Sequence, residues 1–318
     1  MGVAVVGCGG WGKNLVRNFS ELGALECICD YDDSTSSMYS AKFGVPSLSF
    51  DEVLKSCVEG IVIATPAPLH ASFSIESLYA GKHVYVEKPM AMNLDEANLM
   101  IDAAKNSGKH LMVGHLMQYH PVFRKLLSLV HSNELGKIHY IYSNRLSLGK
   151  IRSQENVIWS FAPHDVSMIL SLVRAPVKSV YCEAKEILQT GIADIGTLHI
   201  VFENDVNAHV FCSWLHPYKE QKLVVIGEKG IAVFNDTLIW EEKLAFFPHN
   251  IDVTRIPIVP ETKGGSFINV QQSEPLKLEC NYFLDLINGK VPPLTDGIEG
   301  RSVLEVLLSA NNTMKIVR

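Results

Sequence analysis

The chain lacks an apolar run long enough to span a bilayer, a Cys-x-x-Cys pair and an excess of basic residues. Each absence removes a class of function. Without a long apolar run, a membrane-spanning helix is not expected. The seven cysteines are odd in number and scattered, so neither a disulfide framework nor a thiolate metal site is implied. Cys27 and Cys29, two apart on an expected strand, read as small core residues. A formal net charge of −6 argues against a general nucleic-acid or anionic-membrane binder. The N-terminus enters an apolar strand at once, so no signal peptide is expected, and a reducing cytoplasm is the simplest setting. Repeats and low-complexity tracts are also missing. What remains is 318 residues, 47% of them hydrophobic, enough for two domains with substantial cores.

The most informative stretch is Val3 to Gly12, VAVVGCGGWG. A short apolar strand runs into Gly7, and Gly9 and Gly12 complete a G-x-G-x-x-G spacing ahead of a helix over 13–21. In such a turn Gly7 takes the tight bend, Gly9 leaves room for a pyrophosphate, and Gly12 lets helix and strand pack closely. The helix N-terminus then offers free N–H groups to phosphate, so Gly10 and Trp11 join the candidate contacts. A second strand, 25–29, ends in Asp30, whose carboxylate suits adenosine ribose hydroxyls. No Arg follows it, because Tyr31, Asp32 and Asp33 come next, and this favours NAD over NADP. Strand, helix, second strand and acid together point to a dinucleotide rather than an ordinary turn.

The same alternation continues as a doubly wound parallel sheet over residues 1–118. A helix is expected over 34–43, a short strand over 45–47, and a small helix capped by Asp51. Ile61 to Ala64 is an uninterrupted apolar strand, as in sheets covered on both faces. It runs into Thr65-Pro66-Ala67-Pro68-Leu69-His70 at the carboxyl edge, where ligands sit in such folds. Thr65 and Pro66 are candidate cofactor contacts; His70 either joins them or simply opens the next helix. A strand over 83–86 ends in Glu87-Lys88-Pro89, an unusual place for a lysine, fixed between an acid and a proline that permits a cis peptide. Asn93 and Glu96 resemble a capping box for a helix to Ser107, with Leu94, Ala97, Leu99, Ile101 and Ala104 mostly buried.

Residues 119–318 read as an α+β domain with a large, mostly antiparallel sheet. Strands are expected over 137–146, 177–186, 197–202, 207–214, 221–226 and 231–234, joined by connections too short for parallel crossovers. An irregular excursion over 248–274 precedes closing helices over 276–288 and 296–315, the last of which can pack back on the first domain. Arg145, Lys150 and Arg152 put positive charge into an expected loop, suited to an anionic substrate group, although a solvated surface loop has the same composition. Pro163-His164-Asp165 is expected to open an apolar helix. His110, His115 and His120 are five apart and do not share a helical face, so no metal site is read. His115 and Tyr119 fall where the domains meet and are candidates for lining a cleft. A broad sheet face of this kind leads us to expect a homodimer or homotetramer.

In order, VGCGGWG, ATPAPLH, EKPM and VGHLMQYHPVF resemble the glucose-fructose oxidoreductase / inositol dehydrogenase / MocA family of NAD(P)-dependent sugar oxidoreductases. The likeness extends to the end of the chain, through GEKG at 227–230 and EPLKLECNYFLDLINGKVPPLTDG. It implies that Lys88 lies beside substrate and nicotinamide, and that a histidine in the position of His164 faces the substrate. Members of the inositol dehydrogenase type carry an acid four residues earlier, where this chain has Ser160; their proton relay does not carry over intact, and Asp165 or the Lys88 neighbourhood are the substitutes at hand. The run NRLSLGKIR…WSFAPHD, which includes Trp159, is similar to members acting on nucleotide sugars, especially UDP-N-acetylglucosamine 3-dehydrogenases. The resemblance therefore implies oxidation of a sugar hydroxyl by NAD, with His164 as base and Lys88 holding the hydroxyl, or the reverse. Three other readings stay open: a dehydrogenase of a free sugar or inositol, an NAD-retaining glycosidase, and a non-catalytic NAD-binding regulator.

Overall fold

Strand burial differs sharply between the two halves of the computed structural model, which describes residues 2–251, 254, 256–258, 261, 262 and 264–317. The chain forms two compact units, Met1–Tyr119 with Ser273–Glu305, and His120–Gln272 with Val306–Arg318.

The first unit begins with β1 (Val3–Val6), α1 (Gly12–Glu21), β2 (Leu25–Cys29), α2 (Asp33–Phe43), α3 (Phe50–Lys55), β3 (Gly60–Ile63), α4 (His70–Tyr79), β4 (His83–Glu87), α5 (Leu94–Ser107) and β5 (Leu111–Gly114). Its five strands are ordered β2-β1-β3-β4-β5 and every neighbouring pair is parallel. Strands β1 and β3 are buried at every residue, which explains their unbroken apolar sequence: helices cover both faces. The order reverses direction at β1 and β3, so the carboxyl ends of these strands form the crevice typical of a doubly wound sheet.

Some local expectations shift. Ser49, not Asp51, caps α3, in a reciprocal capping box with Glu52. Only Ser47 of the expected third strand bridges, to Ile28. In α5 the buried positions are Ala97, Met100 and Ala103, while Leu99 is 58% exposed; small residues, rather than the leucine, face the sheet and let the helix sit close.

The second unit contains α6 (Pro121–His131), β6 (Ile138–Leu148), α7 (Val157–Val173), β7 (Val177–Lys185), β8 (Ile195–Phe202), β9 (Asn207–Ser213), β10 (Leu215–Gly227), β11 (Gly230–Asn235), β12 (Leu244–Asn250), β13 (Glu261–Thr262) and β14 (Ser266–Phe267). The chain then gives α8 (Pro275–Ile287) to the first unit, continues into α9 (Gly297–Thr313), and closes with β15 (Lys315–Ile316) in the second. The large sheet is mostly antiparallel, with β6–β9 and β7–β15 as its parallel pairs. On β6 the alternation is clean: Ile141, Ser143 and Arg145 are buried, and Tyr140, Tyr142 and Asn144 are half-buried on the other face. Helix α7 packs on β6, β8 and β9.

Two differences here bear on function. Strand β6 runs on to Leu148, so Arg145 lies within the sheet, not in a loop. Helix α7 starts at Val157, where the Asn156 side chain accepts the Trp159 N–H at 3.1 Å, and Pro163 sits inside it. His164 and Asp165 therefore stand in the middle of a helix rather than at its beginning. The expected irregular excursion is partly ordered as β12, β13 and β14, while residues 252, 253, 255, 259, 260 and 263 of it lie outside the described residues.

Candidate active site

At the carboxyl edge of the first sheet, each glycine of the β1–α1 turn has a separate steric reason. Gly7 has φ +92°, and a Cβ there would stand 2.7 Å from the Ala64 carbonyl and the Thr65 nitrogen. A Cβ on Gly12 would meet the Gly7 carbonyl oxygen at 1.8 Å, so helix and turn touch backbone to backbone. Gly9 and Gly10 are different: a Cβ on either meets nothing within 4 Å. They line open space in front of the N-terminus of α1, which side chains would fill. At the end of β2, the Asp30 carboxylate accepts the Cys8 N–H at 2.6 Å and the Asp32 N–H at 3.0 Å. These bonds fix its direction and leave lone pairs for ribose hydroxyls. The cradle, the helix terminus and the oriented acid fit a dinucleotide, with the diphosphate on the amides and the adenosine ribose on Asp30.

Past β3, the Thr65 hydroxyl is buried with no partner among the described residues, and Pro66 is exposed. His70 opens α4 and its ring lies inside the fold. It is 1% exposed, and its ring nitrogens lie 2.7 Å from the Pro89 carbonyl oxygen and 2.9 Å from that of Thr65. Burial lowers its pKa, the neutral ring being favoured despite those carbonyls. Next to it, Glu87 is buried at the end of β4, accepting the Trp11 indole N–H at 2.6 Å and the Lys88 N–H at 3.3 Å. Burial raises its pKa, opposed by these donors and by the Lys88 charge. Lys88 itself is half-buried, and the Lys88–Pro89 peptide is cis.

His115 and Tyr119 are likewise internal. His115 is 2% exposed with Nδ1 2.5 Å from Glu299, and the Tyr119 hydroxyl lies 2.7 Å from Thr295. Both hold the returning segment rather than line an open surface. Their partners, 180 or so residues on, carried no local pattern that would have disclosed them.

In the second unit, Arg145 and Asp165 are spent on each other. Asp165, 1% exposed, receives the Arg145 guanidinium through Nε and Nη2 and the Ser143 hydroxyl at 2.5 Å. Burial would lower the pKa of Arg145, but Asp165 raises it above its ordinary value. Neither is a surface for substrate; together they lock α7 to β6, one residue from His164. Lys150 and Arg152 do lie in the loop after β6. Lys150 is exposed, while Arg152 is half-buried with Nε 3.4 Å from Glu155. His164 is half-buried in mid-helix, and Trp159 half-buried in its first turn. Among the described residues no group of three or more His, Cys, Asp or Glu can hold a metal ion, and no helix is long and apolar enough to cross a membrane.

A parallel-sheet domain carrying a dinucleotide cradle, followed by a large-sheet domain, defines a two-domain NAD-binding oxidoreductase. Residues 1–115 match the model of an oxidoreductase family with an NAD-binding Rossmann fold, and residues 123–233 match the GFO/IDH/MocA C-terminal domain. The chain belongs to the Gfo/Idh/MocA oxidoreductase family. It is 23% identical over 317 residues to UDP-N-acetylglucosamine 3-dehydrogenase of Acidithiobacillus ferrooxidans, covering 97% of this chain and 95% of that one. A solved structure of that enzyme, GnnA, has a TM-score of 0.86 at 22% identity, over 99% of this chain and 97% of the other. The scyllo-inositol 2-dehydrogenase (NAD(+)) of Bacillus subtilis is 26% identical over 337 residues, covering 98% of this chain and 93% of the relative. The fold is also shared with the WlbA dehydrogenase of Bordetella pertussis, solved with NADH and UDP-GlcNAcA, at a TM-score of 0.78 and 22% identity over 98% of this chain and 96% of that one.

Proposed function

We propose that the protein oxidises a secondary hydroxyl of a sugar with NAD, the 3-hydroxyl of a UDP-N-acetylglucosamine-type nucleotide sugar being the preferred substrate. The observation that carries the chemistry is Lys88: a lysine held at the carboxyl end of β4, between buried Glu87 and Pro89, on the sheet edge that bears the glycine cradle and Asp30. Alcohol oxidation removes a hydride from carbon and a proton from oxygen. When bound, the nicotinamide accepts the hydride. The chain must hold the hydroxyl, stabilise developing alkoxide charge and take the proton. Lys88 is assigned the first two tasks, through a charge-assisted hydrogen bond. His164 is assigned the third, its position on α7 fixed by the neighbouring Arg145–Asp165 pair.

The preference for a nucleotide sugar is supported by the two relatives whose names carry one and by Lys150 and Arg152, cations in one loop able to meet a diphosphate. Half-buried Tyr140 and Tyr142 on the face of the large sheet opposite α7 support association of copies of the chain into a homodimer or homotetramer. A soluble, cytoplasmic setting suits such a substrate.

The test follows nicotinamide absorbance and product mass with NAD and UDP-N-acetylglucosamine. The expected result is a keto sugar with stoichiometric NADH, and at least ~100-fold slower turnover for Lys88→Ala, in keeping with loss of a charge-assisted transition-state contact, with NAD still bound. Turnover of inositol but no nucleotide sugar would overturn the substrate assignment. Bond cleavage without net NADH would overturn the reaction in favour of an NAD-retaining glycosidase, and near-normal turnover of Lys88→Ala would remove the role given to that residue.

A further inference from the structure

A polar side-chain contact between the glycine turn and the β4 corner joins two strands that are not neighbours. Trp11 follows β1 and Glu87 ends β4, while β3 lies between those strands. The indole N–H of Trp11 nevertheless reaches the Glu87 carboxylate at 2.6 Å, crossing the carboxyl end of β3. Trp11 is 44% exposed, a large apolar ring in an outward-facing turn, so burial alone does not account for its placement. Glu87, by contrast, is 8% exposed, and the chain has made room for it. A Cβ on Gly114 of β5 would come within 3.0 Å of its Oε2 and 2.9 Å of the Tyr85 ring.

One carboxylate thus serves several donors, the Tyr85 hydroxyl at 3.4 Å among them. Its Oε1 takes the indole, and its Oε2 takes the backbone N–H of Lys88. On the far side of the same corner, the His70 ring sits between the Pro89 and Thr65 carbonyls, its one N–H able to donate to either of them. The Lys88 backbone is held from both sides, and one of the two holds leads directly to the turn that cradles phosphate. Trp11 is also the residue immediately before α1, whose N-terminal amides would carry the diphosphate.

We propose that Trp11 is a positioning residue which, through Glu87, transmits occupancy of the phosphate-binding turn to Lys88, so that a dinucleotide in the cradle fixes the lysine. Ordering Gly9, Gly10 and Trp11 around a diphosphate restrains the indole, the indole restrains the Glu87 carboxylate, and the carboxylate restrains the Lys88 amide. The catalytic value of this coupling rests on the role proposed for Lys88, but the coupling itself is measurable without turnover.

The experiment measures acylation of Lys88 by N-hydroxysuccinimidyl acetate, read by peptide mass spectrometry, with and without saturating NAD, alongside calorimetric NAD affinity. In the wild type, NAD slows acylation of Lys88 at least fivefold. Trp11→Phe keeps an aromatic ring and the backbone amide without the indole donor; at NAD concentrations saturating by its own calorimetric affinity it should lose most of that protection. Glu87→Gln keeps one oxygen but turns an NH2 towards either the indole or the Lys88 N–H, neither of which can accept, so it should lose the protection as well. Trp11→Leu, another donor-free side chain at this exposed position, should repeat the Phe result. Full protection in both Trp11 variants would mean that NAD shields the lysine directly, and would overturn the proposal, as would absence of protection in the wild type. A wild-type rate for Lys88→Ala would instead overturn the role of the lysine while leaving the coupling intact, so the two failures are distinguishable.

Discussion

Each unit buries a carboxyl close to its candidate chemistry, and the two are treated in opposite ways. In the second unit Asp165 sits beside His164 and meets the Arg145 guanidinium and the Ser143 hydroxyl. In the first unit Glu279, on α8, is 1% exposed; the Tyr85 hydroxyl faces it, but no hydrogen bond of normal geometry reaches either oxygen among the described residues. The ionisable groups facing it are Glu87 and Tyr85, and burial raises its pKa well above the ordinary carboxyl value. A buried ion survives when compensated; an uncompensated acid keeps its proton instead. The second unit therefore uses charge as a structural lock, while the first keeps a neutral acid beneath the corner that carries Glu87 and Lys88.

The comparison is broken most forcefully by removing one partner of the lock. Asp165→Ala leaves the buried Arg145 guanidinium without its carboxylate, which should cost about 3–5 kcal/mol of unfolding free energy in urea. Replacing both members, Arg145→Met with Asp165→Leu, should recover most of that loss, because neither charge then needs compensation. If Asp165→Ala were neutral, the pair would not be holding α7. The double variant should still lose turnover if the lock places His164, and this separates stability from positioning.

The same contrast explains what the sequence disclosed. The glycine turn and Asp30 were legible because the spacing itself carries their constraints: Gly7 takes a positive φ, Gly12 meets the Gly7 carbonyl, Gly9 leaves open space, and Asp30 accepts the amides of Cys8 and Asp32. The doubly wound sheet followed from apolar runs such as Ile61–Ile63 for a similar reason. Arg145 was not legible. Its neighbours in sequence, Asn144, Ser147 and Gly149, have loop composition, whereas its burial is set by Asp165 across the sheet–helix interface. His70 does open α4, but its bracing role was not legible, since its two partners, Thr65 and Pro89, belong to separate strand ends. The start of α7 was obscured by Pro163, which is a helix breaker in most interiors but here follows a complete first turn capped by Asn156. Local steric rules can be read from spacing; long-range charge compensation cannot.

A smaller intervention sharpens the first unit's half of the contrast, which relies on backbone and empty space. A Cβ at Gly9 meets nothing, so Gly9→Ala should leave the melting temperature unchanged while intruding on the diphosphate. Overpacking of about 2–3 kcal/mol corresponds to a roughly 30- to 150-fold loss in NAD affinity by calorimetry. Gly12→Ala, with its Cβ 1.8 Å from the Gly7 carbonyl oxygen, should damage folding and binding together. Equal behaviour of the two variants would show that the space at Gly9 is not where the diphosphate lies.

The gentlest test turns on the proton of Glu279. Its folded pKa is raised, so above the ordinary carboxyl value the folded protein holds a proton that the unfolded chain releases. Ionisation then favours the unfolded state, and stability falls as pH rises until the folded pKa is reached. Glu279→Gln cannot ionise and lacks this dependence. The two proteins should therefore differ by a constant offset below about pH 4, where both side chains are neutral. From there towards neutrality the variant should gain on the wild type by up to about 1.4 kcal/mol per pH unit. A parallel pair of stability curves from pH 4 to 8 would mean that Glu279 ionises in place, and that the first unit compensates its buried acid as fully as the second compensates Asp165.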